Sequence, residues 1–213
     1  LDPNHVKSHN NLALALVELG QLEDAATHWK RSLALEPKAE IYSDYGFIMA
    51  RLGKPQDALA AYGKALELDP NCASAHFNLA VSSIQAGNLP EAESHYRAAL
   101  REKPNAETYN GLGFVLAGQG RPDEAAAEFR KAIEINPQYT PAYNNLADLL
   151  AKQGKLEDAE FYYRGSLRER PSAVVHTDLG VVLRKLGRTD EAADELRKAL
   201  ALDATQQKAR RNL

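Results

Sequence analysis

Three asparagines recur at one constant spacing in this chain: Asn11, Asn78 and Asn145. An asparagine amide offers both donors and an acceptor, so it can pair with both polar groups of an extended peptide backbone. A row of such amides would hold a chain with little regard to its side chains. Beside them lie Asn10, Asn110 and Asn144, while Asp44, Gly111 and Asp178 take the same place midway through each period and interrupt the row. The competing use of these amides is to bond neighbouring backbone and fix the packing. Three places further on stand Leu14, Phe47, Val81, Phe114, Asp148 and Val181, with Phe77 close by. A solvated face would be more polar, so this row suggests contact with partner side chains. Packing between adjacent helices is the alternative.

Other chemistry is harder to assemble. His28 and His95 stand at the same spacing as the asparagines, but Tyr162 takes the third place, which argues against a histidine metal site. There is no glycine-rich phosphate loop and no zinc or calcium spacing, so no cofactor or metal is expected. Carboxylates cluster at helix starts, where capping explains them, and none stands isolated among apolar residues as general-acid work would favour. The reading is of a protein that is not an enzyme.

The elements that must position the asparagines repeat with the same beat. Pro3, Pro37, Pro70, Pro104, Pro137 and Pro171 recur in steps that alternate between a longer and a shorter form, one residue apart. Gly20, Gly53, Gly87, Gly120, Gly154 and Gly187 keep step, as do Ala25, Ala58, Ala92, Ala125, Ala159 and Ala192. Each unit reads as two helices. The first begins after the proline and runs to the residue before the glycine; in the first unit its apolar stripe is His9, Leu12, Ala13, Leu16 and Leu19. The glycine makes the turn, because it reaches left-handed backbone cheaply. The second helix starts with acids such as Glu23 and Asp24, and bases such as Lys30 and Arg31, Arg130 and Lys131, and Arg197 and Lys198 are expected in its last turns. Ala13, Gly46, Ala80, Gly113, Ala147 and Gly180 share one small site on the first helix, facing the alanine of the second; Trp29, Tyr62, Tyr96, Phe129, Tyr163 and Leu196 fill the space around it.

The pattern aromatic–x–Asn–Leu–Ala/Gly, then Gly, Ala, aromatic, Ala and Pro, resembles the tetratricopeptide repeat over essentially the whole chain. His9, Tyr42, His76, Tyr109, Tyr143 and His176 occupy the family's usual tryptophan site. The resemblance implies an all-α solenoid of six hairpins, a right-handed superhelix whose first helices line a concave groove, and binding of a protein or peptide there. By the same analogy the second, fifth, ninth, twelfth and thirteenth residues of each first helix face the groove and the sixth borders it. The row Asn11, Asn78 and Asn145 is similar to the asparagine ladder of the superhelix in O-linked N-acetylglucosamine transferase. Groove charges are mixed: Lys7, Arg51, Lys152, Arg184 and Lys185 oppose Glu18, Glu40, Asp44, Glu107, Asp148 and Asp178. Only Lys7 fits the family's carboxylate clamp, so an acidic chaperone-type C-terminus is not expected as ligand.

A second, doubled period overlies the first. Odd units read HNNLALAL, HFNLAVSS and YNNLADLL; even units read YSDYGFIM, YNGLGFVL and HTDLGVVL, and the linker entering each even unit is one residue shorter. Duplication of a two-hairpin cassette accounts for this. The expected organisation is one array over 1–213, with repeats at 6–38, 39–72, 73–105, 106–139, 140–172 and 173–206, and with 207–213 opening a seventh repeat or a terminal helix. Leu1-Asp2-Pro3 reads as the tail of an earlier unit, so a segment of a longer array is expected.

Net charge is −3 with nearly balanced signs, which gives no field favouring nucleic acid or an anionic membrane. No apolar run approaches the ~20 residues that span a bilayer. Cys72 is the only cysteine, so no disulfide closes within the chain, as suits a reducing compartment. The expectation is cytoplasmic, with the periplasm left open. The leading function is a module holding an extended peptide or a partner's helix. The alternatives are the recruitment segment of a larger enzyme such as a glycosyltransferase, and an array that self-associates end to end.

Overall fold

A computed structural model describes residues 5–213. The expectations for Pro3 and for the Leu1-Asp2-Pro3 tail lie outside the described residues. The described residues form thirteen α-helices and no strands, the all-α array of hairpins expected from the repeat. They fall into two compact units, the first ending at Pro104 and the second spanning Asn105–Leu213. The first holds α1 (Val6–Glu18), α2 (Leu22–Leu35), α3 (Ala39–Arg51), α4 (Pro55–Leu68), α5 (Ala73–Gln85) and α6 (Leu89–Glu102). The second holds α7 (Ala106–Gly118), α8 (Pro122–Ile135), α9 (Thr140–Lys152), α10 (Leu156–Glu169), α11 (Ala173–Lys185), α12 (Thr189–Leu202) and α13 (Gln207–Asn212).

The first helices stop one residue sooner than expected. Leu19 is the C-cap of α1 and is 74% exposed, so it leaves the buried stripe to which the pattern assigned it. The turn that follows is made by glycine, with φ between 72° and 78° at all six sites, a region L-residues avoid. The second helices end just before the next framework proline, as α2 does at Leu35 ahead of Pro37. In α2, α8 and α12 the paired bases lie a turn or more before the end, so the last turn holds none. Two of these bases instead make local pairs: Lys131 reaches the buried Glu128, and Arg197 pairs with Asp194 in the exposed way that contributes little.

Packing within each hairpin rests on the small site. Gly46, Gly113 and Gly180 are buried. A methyl at Gly46 would stand 2.6 Å from Tyr62 Cε1, and one at Gly113 would stand 2.6 Å from Phe129 Cε1. The backbone oxygens of Ala58 and Ala125 lie 3.1 Å from the same points. In odd hairpins the site keeps its methyl: Ala13, Ala80 and Ala147 are all wholly buried. The linkers alternate as well. Those before α3, α7 and α11 hold three residues, and those before α5, α9 and α13 hold four. The longer ones fold on an Asx turn, in which Asp69, Asn136 and Asp203 accept from the backbone N–H two residues on.

Candidate functional site

Because the small sites turn inward to the second helices, each first helix keeps another face that its hairpin does not cover. In the first unit that face carries Leu14, 51% exposed, and Phe47, 44% exposed, with the Arg51 guanidinium 5.8 Å from the Phe47 ring centroid. Asn11 is exposed, and Val81 is half-buried. Asn78 is already engaged: its Nδ2 donates to Ser43 Oγ on α3 at 3.1 Å. Phe77 is half-buried and meets Tyr96 edge-on at 5.7 Å, so part of its ring serves the hairpin itself. Asn10 is half-buried, and its Oδ1 has no hydrogen-bond partner among the described residues. Between the amides, the Asp44 carboxyl is pushed up to about 6 by burial and by nearby Glu40.

The second unit repeats the arrangement with different partners. Asn145 Nδ2 donates to Asn110 Oδ1 at 2.8 Å, bringing two of the expected residues together. The neighbouring Asn144 is half-buried and its Oδ1 is without a partner among the described residues. Phe114 is 53% exposed. Val181 lies half-buried in a cleft of about 300 Å³ with Lys152, Lys185 and Lys208 around it. Both carboxylates of that cleft are occupied: Asp148 accepts from the Tyr163 hydroxyl and Asp178 from Lys208. Burial first, then the bond to Asp148, pushes the Tyr163 hydroxyl well above its usual range. Burial also raises Asp178, against the pull of Lys208. No carboxylate pairs with Lys152 or Lys185 among the described residues, so this cleft holds two cations without a carboxylate partner.

The fourth place of the first helix pairs with the second helix of its own hairpin. His9 Nδ1 lies 2.9 Å from His28 Nδ1, and His76 Nδ1 lies 3.0 Å from His95 Nδ1. His76 Nε2 is 3.0 Å from the Pro70 carbonyl, which can only accept. In the neutral pair His76 therefore carries its proton on Nε2, and His95 donates from Nδ1. Burial, then His76, lowers the His95 pKa. In the second unit Tyr143 and Tyr162 take the pair at 6.3 Å, and His176 Nδ1 meets Glu195 at 2.6 Å. Among the described residues no group of three or more histidines, cysteines or carboxylates could hold a metal. No helix there is long and apolar enough to cross a membrane.

Two features are not legible from the repeat pattern. One is the acceptor of the Asn78 and Asn145 amides, Ser43 and Asn110 respectively, each 35 residues away on the preceding first helix. The other is a cleft of about 420 Å³ between α10 and α12 over α11, with Phe161 and Arg168 on its lining. The signal for it is present in the sequence: Phe161 stands where the other second helices have Thr27, Ala60, Ser94, Ala127 and Asp194.

Family profiles described as tetratricopeptide repeat match residues 6–39, 50–107, 85–140, 116–177 and 173–206. Protein O-mannosyl-transferase TMTC3 of Homo sapiens is 33% identical over 105 residues, which cover 48% of this chain and 12% of that protein. Protein FlbA of Caulobacter vibrioides is 27% identical over 116 residues, 54% of this chain and 20% of its own. The chain thus spans a small part of the curated relatives it matches. Among solved structures, YrrB, described as a tetratricopeptide protein with an unusual peptide-binding site, superposes with a TM-score of 0.71 at 24% identity, covering 86% of this chain and 96% of that one. PilF of Pseudomonas aeruginosa gives 0.85 at 19% identity, covering 97% and 95%. At these identities the likeness concerns the fold.

Proposed function

Given that this chain belongs to the tetratricopeptide repeat family, we propose that it is a protein-interaction scaffold whose first-helix faces hold an extended peptide or a helix of a partner protein. The observation that carries the reading is the exposure of Leu14, Phe47 and Phe114 at one repeating place, beside half-buried amides. Large apolar side chains left in water at a fixed period are what a partner would cover. The peptide-binding description of YrrB supports the same reading. The amides take a double role here. Asn78 and Asn145 each spend one donor on the neighbouring helix and keep a second N–H and the carbonyl for a ligand backbone.

A displayed library of random peptides, selected on the folded chain, supplies the probe. Leu14→Ser, Phe47→Ser and Phe114→Ser combined should weaken the selected peptides about tenfold or more. Equal affinity in that folded variant overturns the reading. Asn11→Ala, Asn78→Ala and Asn145→Ala combined test the amide row separately.

A second reading is the recruitment segment of a larger enzyme. It is favoured by the match to the human O-mannosyl-transferase, in which the aligned stretch is only 12% of the protein. A catalytic domain in the same reading frame would support it, and a frame holding nothing but repeats would remove it.

A further inference from the structure

The cleft between α10 and α12 is not explained by the hairpin frame. Its floor is apolar, with Leu167 half-buried and Leu179 1% exposed, and Phe161 stands beside them 62% exposed. The corresponding places of the other second helices are small or polar, so the repeat does not call for a ring there, and the Phe161 ring touches the edge of its chain neighbour Tyr162 at 5.2 Å while most of it stays in water. An exposed phenylalanine over a concave apolar floor is poorly hydrated surface waiting to be covered.

The charges around that floor are one-sided. Arg164, Arg168 and Lys198 line the cleft against a single carboxylate, Glu195. Both oxygens of Glu195 are engaged: Lys198 Nζ donates to one at 2.7 Å, and the other lies 2.6 Å from His176 Nδ1. Burial works to raise the Glu195 carboxyl, but the hydrogen bonds from Lys198 and His176 outweigh it and hold it below its usual value. Arg164 is paired with Glu160 at 2.9 Å and with Glu191 at 3.4 Å, and Arg188 bridges the same two carboxylates. Those pairs tie α10 to α12 beside the cleft. Arg168 differs, for no carboxylate pairs with it among the described residues. Its place in the last turn of α10 suits the helix dipole. That contact uses none of the guanidinium's directed donors, which are shaped to take a carboxylate in a fork.

We infer that this cleft is a second docking surface, separate from the first-helix faces, for a partner segment in which an apolar side chain is flanked by carboxylates. The apolar side chain packs between Phe161 and the Leu167–Leu179 floor. A flanking carboxylate pairs with Arg168, the one cation of the lining left without a carboxylate among the described residues, and that charge disfavours a basic segment.

The test uses the full chain and fluorescence polarisation. The probe is a labelled peptide with a central leucine–phenylalanine pair and two aspartates on each side. Two controls replace the aspartates by lysines, or the central pair by alanines. Saturable binding is expected for the acidic peptide alone. Phe161→Ala and Arg168→Glu should each weaken it about tenfold, the loss expected of a central anchor. Ile135→Ser, which removes another half-exposed apolar side chain of the same unit, should not. Both substituted residues are on the surface, and matching thermal melts would establish that the variants fold. No saturable binding, equal binding of the lysine peptide, or unchanged affinity in Phe161→Ala would each overturn the inference. So would a failure to bind peptide combined with self-association that Phe161→Ala abolishes, since the occupant would then be a second copy of the chain.

Discussion

The hairpins α3–α4 and α5–α6 have helices of the same lengths, 13 and 14 residues, yet they close differently. In α3–α4 the Tyr62 ring lies so close to Gly46 that a methyl there would collide with it. In α5–α6 the same place is Ala80, wholly buried, and the Tyr96 ring is met edge-on by Phe77. The even hairpin enters through three residues, and the odd one through four with an Asx turn at Asp69. Only the odd one pairs two imidazoles and reaches back with an amide, from Asn78 to Ser43. The repeat thus fixes a frame, while the place of the hairpin in its cassette decides whether the small site is glycine or alanine and whether an amide reaches back, as Asn78 and Asn145 do.

The sharpest way to break this comparison is to make the two hairpins alike. Gly46→Ala should cost about 3 kcal/mol in urea unfolding, because the ring or the helix must move. A cost under ~1 kcal/mol would mean that the even hairpin relaxes into the odd geometry, so that the two closures are one. Gly113→Ala should behave alike in the second unit, with Phe129 as the obstacle.

Next in size is the carboxylate that interrupts the amides. Asp44 has its pKa raised from 3.8 to about 6 by burial and Glu40, so the folded state holds its proton more tightly than the unfolded chain does. The stability this contributes is full below pH 3.8 and is lost as pH rises through about 6. Asp44→Asn should therefore stabilise by about 1–2 kcal/mol at pH 7.5, allowing for solvent screening. The gain should vanish near pH 4. A gain that persists unchanged at acid pH would show that charge is not its cause. The amides come third. Asn78→Ala should cost about 1 kcal/mol, the worth of one hydrogen bond, and Asn11→Ala, with its exposed side chain, nearly nothing.

Smallest is the imidazole pair. His95 is lowered from 6.5 by burial and by His76, with Glu91 opposing, so its contribution is present above pH 6.5 and is lost as pH falls below it. His95→Gln should flatten that part of the pH–stability curve without changing the plateau above it. An unchanged slope between the two proteins would remove His95 as its source.

Much of this is legible in the residues alone. The glycine beat locates every turn, the small sites locate the hairpin contact, and the doubled period announces that odd and even units differ. Periodicity also puts the asparagines on a common face. It cannot name their acceptors, because Ser43 and Asn110 come into reach only through the stagger between successive hairpins. Helix ends differ from expectation for a related reason. The capping backbone closes ahead of Gly20, so Leu19 falls outside a stripe that spacing alone would continue. Phe161 is invisible to a search for residues that repeat, because its information lies in not repeating.

The alternating linkers have a consequence for how such a chain changes length. Excision of one hairpin, residues 39–72, would deliver α5 through the linker of residues 36–38, which lacks the Asx turn that normally precedes it. Excision of a whole two-hairpin cassette restores both the linker and the acceptor that the next amide needs. In genetic terms the smallest silent insertion or deletion is the pair. A lineage that gains or loses repeats should do so in twos, and an odd count would mark a joint that had to be rebuilt.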